Sequence, residues 1–131
     1  MSRPGFTLLE ATLAMVLLGM AAAGILLPFA HGATAQAEGS HRTLGAILAN
    51  DLIEQIIATP FDDIVDQYNY AETQGQVKDA SGAIITDSMY ANFSRRVDCV
   101  WDPSQTYFIV ATVRVYYLGR EVAAIHRLIS K

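Results

Sequence analysis

Cysteine is nearly missing: Cys99 stands alone in 131 residues, so an intrachain disulfide is excluded and cysteine usage carries no message about compartment. Its expected state is a buried, inert thiol. Bases are scarce from Asp51 to Asp87, where eight acids are set against Lys78 alone, and such a stretch cannot cradle nucleic acid. No glycine loop of phosphate-binding pattern occurs, and no cluster with metal-ligand spacing. The nearest approach to a nucleophile and base is Cys99 with His126, but both fall in predicted strands, and Cys99 belongs to an alternating Val97, Cys99, Trp101 face that reads as core. These absences lead us to expect no enzyme, no cofactor, no small-molecule substrate and no direct nucleic-acid partner.

Charge of either sign is also missing from Ala11 to Ala30, and here the absence describes something present. Twenty helical residues rise roughly 30 Å, the thickness of a bilayer's hydrocarbon core. The overall hydrophobic fraction of 52% is therefore two compositions joined, an apolar N-terminal segment and one small domain. Arg3 is the only base before the apolar run and Arg42 the first after it, which puts the N-terminus in the cytoplasm and the rest outside.

Two features do not suit a plain anchor. Glu10 sits inside the apolar stretch that begins at Phe6, where an unpaired carboxylate costs on the order of 3 kcal/mol. The short polar prefix Met1 to Gly5 ends in glycine directly before that stretch, where a peptidase at the cytoplasmic face could cut. Cleavage between Gly5 and Phe6 would leave an α-amine four residues before Glu10, largely cationic at neutral pH, able to neutralise the carboxylate within one chain or to fix the register of one helix on the next.

The run Gly5-Phe6-Thr7-Leu8-Leu9-Glu10 ahead of a long apolar segment resembles the class III leader and N-methylation motif of type IV pilins and type II secretion pseudopilins. The resemblance covers about the first sixty residues and is only general beyond them. It implies that a prepilin peptidase removes Met1 to Gly5 and methylates the amine of Phe6, that Glu10 serves subunit registration, and that the partners are other pilin or pseudopilin subunits in and above the inner membrane. The chain lacks the paired cysteines that close the C-terminal loop of many major pilins, which places it nearer the minor pilins or pseudopilins. The competing reading of this segment is an ordinary secretory signal, with Ala33-Thr34-Ala35 or Ala35-Gln36-Ala37 as the cleavage site; the length of the apolar run and Glu10 argue against it.

Pro28 is expected to kink or loosen the helix, since it removes a backbone donor and crowds the preceding turn; pilins similar to this chain also carry a proline there. Beyond Gly39, Leu44, Leu48, Leu52 and Ile56 recur at spacing four with Ile47, Ile53 and Ile57 beside them, so this half of the helix is amphipathic and lies on something. Thr59-Pro60 ends it. His31 and His41 lie ten residues apart with no third ligand in regular spacing, and read as solvent-exposed histidines in preference to metal ligands.

Phe61 to Asn92 reads as surface loop with at most one hairpin, turning at Asp79-Ala80-Ser81-Gly82 between Val77 and Ile84. Asp62, Asp63 and Asp66 lack the oxygen-ligand spacing of a calcium loop and read as a solvated loop or helix start. Three extended stretches follow, Phe93 to Trp101, Tyr107 to Tyr117 and Val122 to Ile129, joined closely enough to be antiparallel neighbours. Ile109, Ala111, Val113 and Val115 form the face expected to cover the Leu48, Leu52, Ile56 stripe. The C-terminal excess of bases, Arg95 and Arg96 among them, either orients contacts between copies or is simply a solvated surface.

The expected fold is α+β: a leader (1–5), a membrane-spanning half helix (6–30), an amphipathic half helix (31–59), a loop region (60–92) and an antiparallel sheet (93–131). Two functions fit. One is a structural subunit of a pilus or secretion pseudopilus, built by lateral helix packing; the other is an exported or membrane-anchored ligand-binding module.

Overall fold

The computed structural model describes Gly5, residues 7–105 and residues 107–131. The chain forms two compact units that divide between Glu38 and Gly39, although one helix, α1 (Leu8–Ala58), belongs to both. The fold is α+β, as the sequence suggests: from Gly39 onward α1 packs on a four-stranded antiparallel sheet. The strands are β1 (Asn69–Glu72), β2 (Phe93–Trp101), β3 (Phe108–Tyr117) and β4 (Arg120–Ser130), in the order β1-β2-β3-β4.

The helix ends at Ala58, where the hydroxyl of Thr59 turns back to the carbonyl of Gln55 and Pro60 follows. The apolar stripe is buried at Leu48, Ala49, Leu52, Ile53 and Ile56, whereas Ile47 and Ile57 flank it in the open. The expected sheet face meets it, with Ile109, Ala111, Val113 and Val115 fully buried. The helix backbone comes close to β4 at Gly45, where an added Cβ would lie 2.8 Å from a methyl carbon of Val122. A glycine there lets the helix sit down on the strand. β3 and β4 join through Leu118 and Gly119, whose φ angles of 48° and 80° are the two positive values of a type I′ hairpin turn. The hairpin is therefore tighter than the four-residue connection read from the sequence, and β4 begins at Arg120.

Residues 60–92 are more ordered than the expected loop. A 3₁₀ turn (Phe61–Asp63) and one turn of helix, α2 (Ile64–Gln67), lead into β1, which pairs with Arg95 to Asp98 of β2. The amide of Asn69 extends that pairing: its Nδ2 donates to the carbonyl of Cys99 at 3.0 Å and its Oδ1 accepts from the amide of Cys99 at 3.0 Å. A side chain thus stands in where a fifth residue of strand would be. The expected turn at Asp79 is present, with Gly82 donating to the carbonyl of Asp79 and a single bridge between Lys78 and Ile84. β1 escaped the sequence reading because four residues, Asn-Tyr-Ala-Glu, carry too little alternation to announce a strand.

Arg95 holds these pieces together. Its Nε donates to Glu72 Oε2 at 2.8 Å, Nη1 to the carbonyl of Leu48 at 2.9 Å and Nη2 to the carbonyl of Lys78 at 3.0 Å. One guanidinium therefore ties helix, edge strand and turn, and both it and Glu72 are buried. Arg95 is therefore not one of the surface bases expected from the C-terminal charge excess: strand alternation points it inward beside Phe93 and Val97. Trp101 is a second correction. It continues the Val97, Cys99 alternation but stands 44% exposed at the strand end, where it packs edge-on against Phe61 with ring centroids 5.5 Å apart.

Candidate functional site

The residues singled out at the N-terminus lie at the head of α1. Thr7 precedes the first helical residue, and its hydroxyl accepts from the amide of Glu10 at 3.3 Å while its carbonyl accepts from Glu10 and Ala11 at 3.1 Å. Thr7 is thus the N-cap, and Thr7-Leu8-Leu9-Glu10 has the spacing of a capping box, a local signal that the sequence reading did not use. Glu10 lies in the first turn, where a negative charge is favoured by the helix dipole. Its side chain is exposed and has no ion-pair partner among the described residues. Gly5 is exposed. Phe6, which would carry the new amine, lies outside the described residues.

The body of this segment is chemically suited to an apolar solvent. Twelve large apolar residues from Leu8 to Phe29 are between 54% and 86% exposed, a long apolar surface interrupted by Glu10 and Thr12. Two of the hydroxyls on this half of the helix are satisfied internally: Thr12 Oγ1 donates to the carbonyl of Leu9, and Thr34 Oγ1 reaches the carbonyls of Ala30 and His31. Helical hydrogen bonding continues on both sides of Pro28, which lies inside α1 and, lacking an N–H, leaves the carbonyl four residues earlier without its helical donor. The helix is long and apolar enough to cross a membrane.

The other sequence candidates are dispersed. His31 is exposed, whereas His41 is partly buried and stacked on Tyr117, with centroids 3.7 Å apart and planes inclined by 18°; the expected solvent-exposed histidine is an aromatic packing residue. Asp62 pairs with Lys131 Nζ at 2.9 Å, and Asp63 and Asp66 are exposed. Among the described residues no three potential metal ligands come together. Cys99 and His126 face opposite sides of the sheet: Cys99 shares a row with buried Ala111, whereas His126 Nδ1 hydrogen-bonds Thr112 Oγ1 at 3.0 Å on the other face. Burial, with a smaller push from Asp98, raises the Cys99 thiol to about 11, so it stays protonated near neutrality.

The uncovered sheet face carries Arg96, Asp98, Arg114 and Glu121, with Asp98 bridging both arginines at 3.2 and 3.5 Å. Such exposed pairs add little to stability. Comparison of the chain with family models, with curated proteins and with solved structures finds no match.

Proposed function

We propose that the chain is a structural subunit of an extracytoplasmic filament, a minor pilin or pseudopilin of a type IV pilus or type II secretion pseudopilus. In this reading it enters the inner membrane with its N-terminus in the cytoplasm. Prepilin peptidase cuts between Gly5 and Phe6 and methylates the amine of Phe6, and the processed helix packs laterally against those of other subunits.

The observation that carries the reading is the placement of Glu10 at the head of a helix whose apolar surface is open on every side. A lone carboxylate on such a surface is costly in lipid, on the order of 3 kcal/mol, and an adjacent amine freed by processing offsets that cost. An anchor with no further duty would gain by replacing the acid. Pro28 supports the same reading, as the place where the helix yields on packing.

The experiment is intact mass and N-terminal sequencing of protein recovered from native membranes. A chain that begins at N-methylated Phe6 is the expected result. A chain beginning near Glu38 would make it a secreted protein with a discarded signal and remove the filament reading. Glu10→Ala separates anchor from subunit: impaired assembly is expected here, whereas a binding module on a plain anchor would insert more easily and bind as before.

A further inference from the structure

The sheet face turned away from α1 holds a cleft that the filament reading does not use. Its origin is an interruption at the edge of the sheet. β1 stays in register with β2 as far as Glu72 opposite Arg95, and the pairing resumes for a single bond, from the amide of Gly75 to the carbonyl of Phe93 at 3.1 Å. Thr73 and Gln74, between these points, leave the ladder. Gln74 is held there, its Nε2 donating to Asn92 Oδ1 at 3.1 Å. The result is a cleft of 410 Å³ bounded by Ala71, Thr73, Gln74, Ser94, Arg96 and Tyr116, within the range of roughly 300–1,000 Å³ that small-molecule sites occupy.

The register arranges its walls. Ser94 and Tyr116 are cross-strand partners, and Arg96, next along the same face of β2, stands between Ala71 and Arg114. Ala71 puts only a methyl group beside the guanidinium. Arg96 is exposed, and Asp98 holds it by one nitrogen, accepting from Nε at 3.2 Å; its Nη1 and Nη2 donate to no group among the described residues. The side-chain hydroxyls of Thr73, Ser94 and Tyr116 likewise make no hydrogen bond among the described residues. Tyr116 is half-buried, which steadies its ring as a wall.

These groups select a ligand chemistry. A guanidinium whose terminal nitrogens are both free is a planar fork matched to a carboxylate. Asp98 beside Arg96, and Glu121 beside Arg114, oppose a second negative charge, so a monoanion fits better than a phosphate dianion. The hydroxyls and the carboxamide of Gln74 suit a ligand that carries hydroxyls of its own, and the Tyr116 ring suits an apolar face. A uronic acid combines a carboxylate, a rim of hydroxyls and a C–H face. We infer that this cleft binds an acidic sugar, a uronate, with Arg96 on the carboxylate and Tyr116 against the sugar ring. Binding of this kind transforms nothing, and it goes beyond the filament reading without depending on it.

The test titrates the full chain in detergent micelles with sodium glucuronate and follows the backbone amide signals by NMR. Shifts at Ala71, Thr73, Ser94, Arg96 and Tyr116 should saturate in the millimolar range, with glucose and acetate, each lacking one part of the ligand, at least about tenfold weaker. Arg96→Gln should weaken glucuronate at least about tenfold by removing the charge-assisted contact. Ala71→Leu, at an exposed position, should do the same by filling the space beside the guanidinium. Unmoved signals from Ile109 to Val113 report an intact fold in both variants. Should either misfold, the comparison of ligands on the unaltered chain decides alone. Absence of saturable shifts in the cleft overturns the inference. So does binding that survives both substitutions, because it then lies elsewhere. Inorganic phosphate or a glutamate-containing tripeptide that binds as tightly as glucuronate overturns it too, because the cleft then reads charge or peptide and not sugar. The readout needs no processing at Phe6, so its failure leaves the filament reading standing, and a chain that begins elsewhere than Phe6 leaves the cleft standing.

Discussion

In an Arg95→Met variant the carboxylate of Glu72 keeps its burial and loses its partner. Glu72 is 7% exposed, and its Oε1 already lacks a hydrogen bond, so Arg95 Nε is the one strong contact that compensates for its desolvation. Breaking a buried pair from one side costs about 3–5 kcal/mol. The carbonyl of Leu48 lies within α1 and retains its helical donor; that of Lys78 loses an interaction worth about 1 kcal/mol. The total is about 4–6 kcal/mol, and for a domain of this size, at 4–8 °C per kcal/mol, the melting temperature should fall by roughly 16 to 48 °C. The double variant Arg95→Met/Glu72→Leu removes both charges and should lie within about 2 kcal/mol of the parent, because apolar replacements of a buried pair are often neutral or better. The assay is urea or thermal unfolding of the full chain in detergent, followed by the fluorescence of Trp101, the only tryptophan, which packs on Phe61. A single-variant loss below about 1 kcal/mol, or a double variant less stable than the single, would refute the view that Arg95 is held by a buried, compensated charge.

Gly45→Ala should destabilise despite alanine's better helix propensity, because the new Cβ meets Val122; overpacking costs about 1–3 kcal/mol, and Val122→Ala should turn the same substitution stabilising when unfolding is measured in both backgrounds. Leu118→Asn should raise stability by up to about 1 kcal/mol, since asparagine tolerates the positive φ that leucine resists, and a loss in the same unfolding assay would contradict the turn geometry. Cys99 should resist a thiol reagent at pH 8 until the chain is unfolded. Its thiol is raised to about 11 from 9.0, so the folded state favours the protonated form and stability should decline as pH rises above 9 and flatten beyond 11; labelling of the native chain would show the burial to be wrong.

The sequence by itself determined the elements whose cause is local. Twenty uncharged residues set a membrane-length helix, Thr59-Pro60 set its end, the four-residue stripe Leu48, Leu52, Ile56 chose its buried face, and alternation in Ile109 to Val115 chose the matching face of the sheet. What tertiary structure decided was the fate of groups whose environment comes from distant parts of the chain. Arg95 became a buried clasp because Glu72, Leu48 and Lys78, from three separate segments, converge on it; His41 became a packing ring because Tyr117 lies over it; Trp101, at the strand end, is covered on one side by Phe61 and stays 44% exposed. β1 belongs to the same class. A four-residue strand acquires its identity from the neighbour that supplies its hydrogen bonds.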